Sequence, residues 1–334
     1  MVARTQGSFD KDGATKMTNS TILTAGIDTS KAKLDVAIHG LKRGKVFING
    51  PAGWRDLQAF LTEHGVARVG IEATGGYERG VIQQLRQAGF IVVLLQPLQV
   101  KAFGQLHLRR AKNDRIDAML IAACTDMIDA HNKLPPDPRF QGLGDHLTYI
   151  EQTEEDIVRC KTRLEHIDEK RLRRTIDADI RRLERRRQEE IKRLLAAVRK
   201  HADLARRLDL VLSIPGIGAR TALSIVLRMP ELGQVSREQA ASLAGLAPFV
   251  HQSGKRQGET HIGGGRGRLR RALYAAALPA AFRWNPALKA FYARLTARGM
   301  SHTSALVACA RKLLIYANTV VARGTPWCNR TADA

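Results

Sequence analysis

Four acids sit where metal ligands would. Asp28 ends an apolar run in AGIDTSK, and Glu72 ends another in VGIEATGGY. Asp114 and Asp117 open a helical stretch in AKNDRIDA, three residues apart and so on one face. Carboxylates at strand ends have the backbone rigidity that metal chemistry requires. A pair of Mg²⁺ (or Mn²⁺) ions about 3.5–4 Å apart needs several carboxylate oxygens converging on one point, and can then activate a nucleophile and stabilise the leaving oxygen of a phosphodiester. Taken singly, each acid also has a plain structural reading: Asp28 as a turn residue, Asp114 as a helix N-cap, Glu72 as the partner of a nearby arginine. The order strand, strand, helix, helix within one α/β region favours metal.

A second chemical feature is Ser253, in HQSGKRQG, with His251, Lys255 and Arg256 beside it in sequence. An exposed serine Oγ can attack phosphorus when cations or metal stabilise the pentacoordinate charge. A loop serine bonding its own turn is the competing reading. No G-x-S-x-G elbow and no G-x-x-x-x-G-K-[ST] occur, which excludes an α/β-hydrolase nucleophile and a P-loop. Residues 263–271 (GGGRGRLRR) lead into a helix. Glycines admit backbone close to a phosphate, and Arg266, Arg268, Arg270 and Arg271 follow, so these four with Lys255 and Arg256 are the expected phosphate contacts. Tyr77 is expected to pack near the acids, and His251 and His261 are phosphate contacts or acid/base groups.

The charge agrees with a polyanionic partner. The 334 residues carry 54 Lys+Arg against 32 Asp+Glu, a formal net charge of +22. Residues 253–330 hold 14 of the bases and one acid, Glu259, a footprint of phosphate binding. Residues 161–208 hold 17 bases and 9 acids, and there a solvated face competes equally with nucleic-acid contact. No apolar run reaches the ~18–20 residues of a membrane span, so no membrane partner is expected. No apolar signal segment opens the chain. Four scattered cysteines (Cys124, Cys160, Cys309, Cys328) argue against a zinc or disulfide framework and for a reducing, cytoplasmic, nucleoid-associated setting.

Hydropathy patterning supplies the elements that must hold these residues. Residues 1–20 read as a disordered leader, with Met17 an alternative start. Short β-rich runs at 22–28, 34–39 and 45–49 read as a three-strand meander. A helix is predicted at 54–64, a strand at 66–72, a helix at 78–88, and a strand covered on both faces at 90–95, ended by Pro97. A helix at 114–128 is predicted to turn Ile116, Met119, Leu120 and Ala123 inward. This order gives an α/β fold with a mixed sheet, over residues 21–133. Residues 134–208 read as a linker and a long, narrowly striped antiparallel helical pair or coiled coil suited to spacing or oligomerisation. Residues 209–325 read as a mostly α domain, with a helix–hairpin–helix-like turn at SIPGIG, helices at 236–244, 268–281, 286–298 and 304–323, and an exposed Gly-rich loop or hairpin at 249–267. Residues 326–334 are a tail.

The motifs GIDTSKAKLDVAI, IEATGGYERGVIQQL, KNDRIDA, SIPGIG, LAGLAPFVHQSGKRQG and GRLRRALYAAA occur together and in this order. The set resembles the DEDD transposases of bacterial insertion sequences, a group also called bridge-RNA-guided recombinases and related to pilin-gene invertases, over about residues 22–325. The resemblance implies an RNase H/RuvC-like N-terminal domain, a coiled-coil connector and a C-terminal transposase domain. It implies Mg²⁺ held by Asp28, Glu72, Asp114 and Asp117, and Ser253 as a nucleophile forming a covalent phosphoserine link to DNA. It further implies target and donor DNA paired with a structured noncoding guide RNA, and a homo-oligomer, dimer to tetramer, with composite sites. Two other functions fit the residues: a metal-dependent junction endonuclease in which water attacks, and a non-catalytic nucleic-acid-binding scaffold.

Overall fold

A computed structural model describes residues 23–41, 44–107, 114–128, 137–249, 252–253, 256–257 and 261–328; the side chains of 114, 115, 252, 253, 256 and 257 are outside that description. The chain divides into two compact units, Met1–Pro135 and Pro136–Ala334.

In the first unit the order is β1 (Leu23–Thr29), β2 (Lys33–Ile38), β3 (Gly44–Ile48), α1 (Pro51–Glu63), β4 (Val66–Glu72), α2 (Arg79–Gln87), β5 (Ile91–Leu95), α3 (Pro97–Leu106) and α4 (Asp114–Met127). One five-stranded sheet runs β3-β2-β1-β4-β5. The meander β1–β2–β3 is antiparallel, whereas β4 and β5 run parallel to β1. This is the α/β fold with a mixed sheet that the order of elements predicted.

Alternation along the strands sets two faces. Ala25, Ile27, Val36, Val69 and Ile71 form one, buried against Leu57 and Leu61 of α1 and Val81 and Leu85 of α2. The other carries Thr24, Gly26, Asp28, Gly70 and Glu72, and takes α4. A Cβ at Gly26 would lie 2.2 Å from both Ala118 O and Ala122 N, and one at Gly70 would lie 1.7 Å from Thr125 Oγ1. The absence of side chains at these two positions therefore lets α4 lie directly on the strands.

That close approach corrects the expected inward face of α4. Ala118, Ile121, Ala122 and Thr125 are buried, while Met119 is 38% exposed. Against a bare glycine floor, small residues pack best, and the larger Met119 turns outward. The strand expected to be covered on both faces is the sheet's edge: Ile91 is 42% exposed, and only Val93 and Leu95 are fully buried. Pro97 does more than end β5; it is the first residue of α3, whose Gln96 and Gln99 form a reciprocal cap.

The second unit is mostly helical: α5 (Arg139–Glu165), α6 (Lys170–Arg199), α7 (Ala202–Leu212), α8 (Ala219–Arg228), α9 (Arg237–Ala244), α10 (Gly267–Pro279), a π turn (Ala280–Trp284), α11 (Pro286–Ala297) and α12 (His302–Arg323). Between α9 and α10 lie two short ladders, β6 (Pro248–Phe249) with β9 (His261–Ile262), and β7 (Gln252–Ser253) with β8 (Arg256–Gln257). The polar segment thus forms nested antiparallel pairs. Helices α5 and α6 lie side by side and antiparallel, with Leu147 and Ile150 facing Ile191, Leu194 and Val198 in one core. SIPGIG is the turn between α7 and α8.

Helix α12 is 22 residues long, and an 18-residue window of it has a mean hydropathy of 1.5, enough by length and composition alone to cross a membrane. Its apolar residues have another use. Ala305, Leu306, Cys309, Ala310, Leu313, Leu314 and Ala317 are buried in the core of this unit, and Arg311 and Lys312 interrupt the run.

Candidate nucleic-acid-cleaving site

The first unit brings Asp28 and Glu72 together through strand register. Gly26 pairs with Gly70 and Ile27 with Ile71 in parallel, so Asp28 and Glu72 stand side by side at the carboxyl ends of adjacent strands, on one face. Both are half-buried, and both are already engaged by a neighbouring group.

Helix α4 brings Asp117 to the same end. Thr24 Oγ1 donates to Asp126 Oδ1 at 3.0 Å, fixing the C-terminal end of α4 at the start of β1. Gly26 meets Ala118 and Ala122. Two further residues along β1 advance about 6.6 Å, which four to five residues of helix match at 1.5 Å each. The helix thus delivers its first turn, from Asp114 to Asp117, to the level of Asp28. Asp117 is half-buried. Asp114 stands at the start of α4 as described, and its side chain lies outside the described residues.

Two devices hold this end of the sheet, and neither was read from the sequence. Asn49 Nδ2 donates to Ser30 O (2.8 Å) and to Tyr77 O (3.0 Å), tying the loop after β1 to the loop after β4. Asn49 Oδ1 in turn accepts from Trp54 Nε1 at 2.8 Å, which anchors the tie to α1. Glu78 fastens the ATGG turn that follows Glu72: its Oε2 accepts from Thr74 N, Thr74 Oγ1 and Gly76 N. Gly75 and Gly76 have φ of 80° and 122°, which suit glycine. Burial pushes the Glu78 carboxyl up, but hydrogen bonds from its own backbone, Gly76 and Thr74 outweigh that and hold it below the ordinary carboxylate range. Glu78 is therefore an anion that organises the turn. Tyr77, expected to pack near the acids, is 51% exposed, and the contribution here is made by its carbonyl.

A further acid joins by register. Asp35 is the Cα partner of Asp28 across the antiparallel β1–β2 pair, and so lies on the same face; its Oδ2 sits 3.1 Å from Lys33 Nζ. A charge inside the apolar run KLDVAI was the available signal. Among the described residues, no three acid, His or Cys side chains stand together at metal-ligating distance. The donor set still suits a hard divalent cation. Asp28, Glu72 and Asp117 offer carboxylate oxygens alone, on rigid elements, with no thiolate or imidazole among them.

Ser253 lies in β7 and Arg256 pairs with it across the β7–β8 ladder, and for both the side chain is outside the described residues. Lys255 and His251 lie outside them entirely. The four arginines after the glycines are described, and each has an intramolecular partner. Arg266 grips Glu231 with both terminal nitrogens, at 2.9 and 2.6 Å. Arg268 Nη1 donates to Glu151 Oε2 at 2.7 Å. Arg270 Nη1 donates to Gly264 O (2.7 Å) and Gly245 O (3.2 Å), closing the loop before α10. Arg271 Nη2 donates to Glu155 Oε1 at 3.2 Å. The acids that hold Arg266, Arg268 and Arg271 come from α5 and the α8–α9 connection, outside the 253–330 stretch in which a single acid was counted.

Two family models match the chain in succession: a DEDD transposase model of the IS110 type over residues 25–168, and the "Transposase IS116/IS110/IS902 family" over residues 208–293. The pilin gene-inverting protein of Moraxella bovis is 26% identical over 314 residues, covering 91% of this chain and 97% of that protein, and that of Moraxella lacunata matches to the same extent. An uncharacterized 43.6 kDa protein of insertion element IS110 from Streptomyces coelicolor is 35% identical over 115 residues, 34% of this chain and 28% of that one. Among solved structures, T. thermophilus RuvC in complex with a Holliday junction substrate covers 31% of this chain and 91% of its own, at 20% identity and a TM-score of 0.26. With these transposase models matched in order over residues 25–168 and 208–293, the chain is a DNA transposase or recombinase similar to the IS110 family.

Proposed function

We propose that this transposase cuts and rejoins DNA through a divalent-metal centre formed by Asp28, Glu72, Asp114 and Asp117 together with Ser253 as nucleophile. The observation that carries the reading is the convergence of two strand ends and one helix start at a single end of the sheet. Mg²⁺ or Mn²⁺ bound there would supply positive charge to the non-bridging oxygens of the scissile phosphate. The chain's own part is to hold the strand ends that carry the carboxylates in place, through the Asn49 tie and the Glu78-fastened turn. Ser253 Oγ loses its proton and forms a bond to phosphorus, the bond from phosphorus to the leaving strand's oxygen breaks, and that oxygen takes up a proton in exchange. The released hydroxyl reverses the step after exchange.

The domain division at 21–133, 134–208 and 209–325 assigns the acids to the first part and the serine to the last, with the helical pair as spacer. A structured guide RNA pairing with target and donor DNA, and a dimer or tetramer that brings acids and serine onto one phosphate, complete the proposal; the setting is the cytoplasm, where the DNA lies. The order of family motifs and the similarity to pilin gene-inverting proteins over nearly their full length support the recombinase reading. The test is trapping on a nicked DNA substrate. Wild type is expected to yield a covalent protein–DNA adduct and Ser253→Ala none, with DNA binding retained. Cleavage without any adduct in wild type would favour a water-attacking junction endonuclease.

A further inference from the structure

Helix α6 carries a charged face that the proposed chemistry does not use. Its inward line is Ile180, Ile191, Leu194 and Val198, all buried against the second unit's core or α5. At about 100° per residue, the opposite side has two flanks. Arg174, Arg181, Arg185 and Lys192 recur at intervals of 7, 4 and 7 and fall within about 40° of one another on the first flank. Arg186 and Lys200 lie on the second. All six are exposed. Asp177 and Glu189 border the first flank without forming an ion pair with it; Glu184 lies nearer the core side and is held by Lys161 at 3.0 Å, while Asp179 and Glu190 lie toward the second flank and hold Arg182 and Arg193 at 2.9 and 2.6 Å. Among the described residues none of the four first-flank cations has an ion-pair partner.

Isolated surface cations need no explanation; four in register, none of them drawn into a direct ion pair, do. From Arg174 to Lys192 the flank is about 27 Å long. Such a row is complementary to a phosphodiester backbone. The two flanks lie about 100° apart on the outward side of a helix about 10–12 Å across, a width that the ~12 Å major groove of B-form DNA admits with a phosphate strand toward each flank. The deep, narrow major groove of A-form RNA does not admit a helix in this way. Between the flanks lie the small residues Ala178 and Ala196, together with the exposed Arg171 and Glu189.

We infer that the outward face of α6 docks duplex DNA through its backbone, without reading its sequence. The inference goes beyond the cleavage centre, while resting on the reading of the chain as acting on DNA. It assigns the capture of the duplex to Arg174, Arg181, Arg185 and Lys192 rather than to the arginines that open α10.

The experiment is a salt titration of binding by the full-length protein to a random-sequence 30-base-pair DNA duplex, without divalent metal so that no strand is cut. It is repeated with an RNA duplex of the same sequence, for wild type and the quadruple variant Arg174→Gln/Arg181→Gln/Arg185→Gln/Lys192→Gln. Each phosphate contact contributes about 0.9 to the slope of log K against log salt, so the variant's DNA slope is expected to be shallower by about 3.6, with little change for RNA. Circular dichroism checks that the helices remain. An unchanged DNA slope overturns the inference, as does a greater loss for RNA than for DNA. A change in molar mass by light scattering with the DNA slope unaltered also overturns it, and assigns the face to a protein partner. Because no cleavage is read, failure here leaves the adduct test of the catalytic reading intact, and the reverse also holds.

Discussion

The start of α10 and the outward face of α6 are both rich in arginine, and the protein uses them in opposite ways. At α10 the arginines are bound inward. Glu151 of α5, only 6% exposed, accepts from Arg268 at 2.7 Å and from Arg228 of α8 at 2.6 Å, with Arg220 3.7 Å away. Arg220 in turn grips Glu154, and Arg271 reaches Glu155. The acids at 151, 154 and 155 share one face of α5, so a single helix face neutralises cations from two others. On α6 the first-flank cations have no such partners among the described residues. Density of arginine in a sequence is therefore a poor guide to where a polyanion binds; what matters is whether acids from distant segments arrive beside them.

The contrast can be broken most forcefully at its centre. Glu151→Gln leaves two guanidinium groups facing a neutral amide in a buried place, and is expected to cost about 3–5 kcal/mol of unfolding free energy, read by urea denaturation. A loss below about 1 kcal/mol would mean that the cluster is no structural hub. Arg268→Gln removes one charged hydrogen bond and is expected to cost about 1.5 kcal/mol, with the salt slope of DNA binding unchanged. A shallower slope in that variant would show that the arginine leaves Glu151 for phosphate. The α6 quadruple variant should show the reverse pattern, a shift of no more than about 0.5 kcal/mol per position in stability beside its large change in slope.

The smallest effect is a pH dependence. Burial would raise the Glu231 carboxyl, but the hydrogen bond from Arg266, its own backbone and the nearby charge outweigh this and hold it below the ordinary value of 4.5. A carboxylate with a depressed folded pKa stabilises the fold above its unfolded pKa, and that contribution is lost as pH falls through the folded value. Wild type should thus exceed Arg266→Gln by about 1 kcal/mol or less at pH 7, the two curves converging as pH falls below about 4.5. Parallel curves throughout would show that the pair adds nothing to stability.

Some of this was legible in sequence and some could not be. Strand ends at Asp28 and Glu72 were readable because apolar runs of period two stop there, and β4 falls at Val66–Glu72 as predicted. The helices from α9 to α12 were readable from apolar spacing and caps such as Ser236 and Asn285. The inward face of α4 was not, since periodicity favoured Met119, and only the sheet's glycines make small residues the packing surface. The partners of Arg268 and Arg271 were not, because they lie more than 100 residues earlier. Asn49 was read only as the end of the strand run 45–49; its importance depends on two loops meeting at it. At Ser253 the sequence motif remains the whole basis of the assignment.

The central claim is that acids from two strands and one helix act as one metal-dependent cutting centre, and strand cleavage by Asp28→Asn and Glu72→Gln across a Mg²⁺ titration tests it most directly. Each substitution should lower the cleavage rate about 100-fold or more while leaving DNA affinity measured without metal unchanged. Cleavage at the wild-type rate in either variant, or cleavage by the wild type that is indifferent to Mg²⁺ and Mn²⁺, would contradict it.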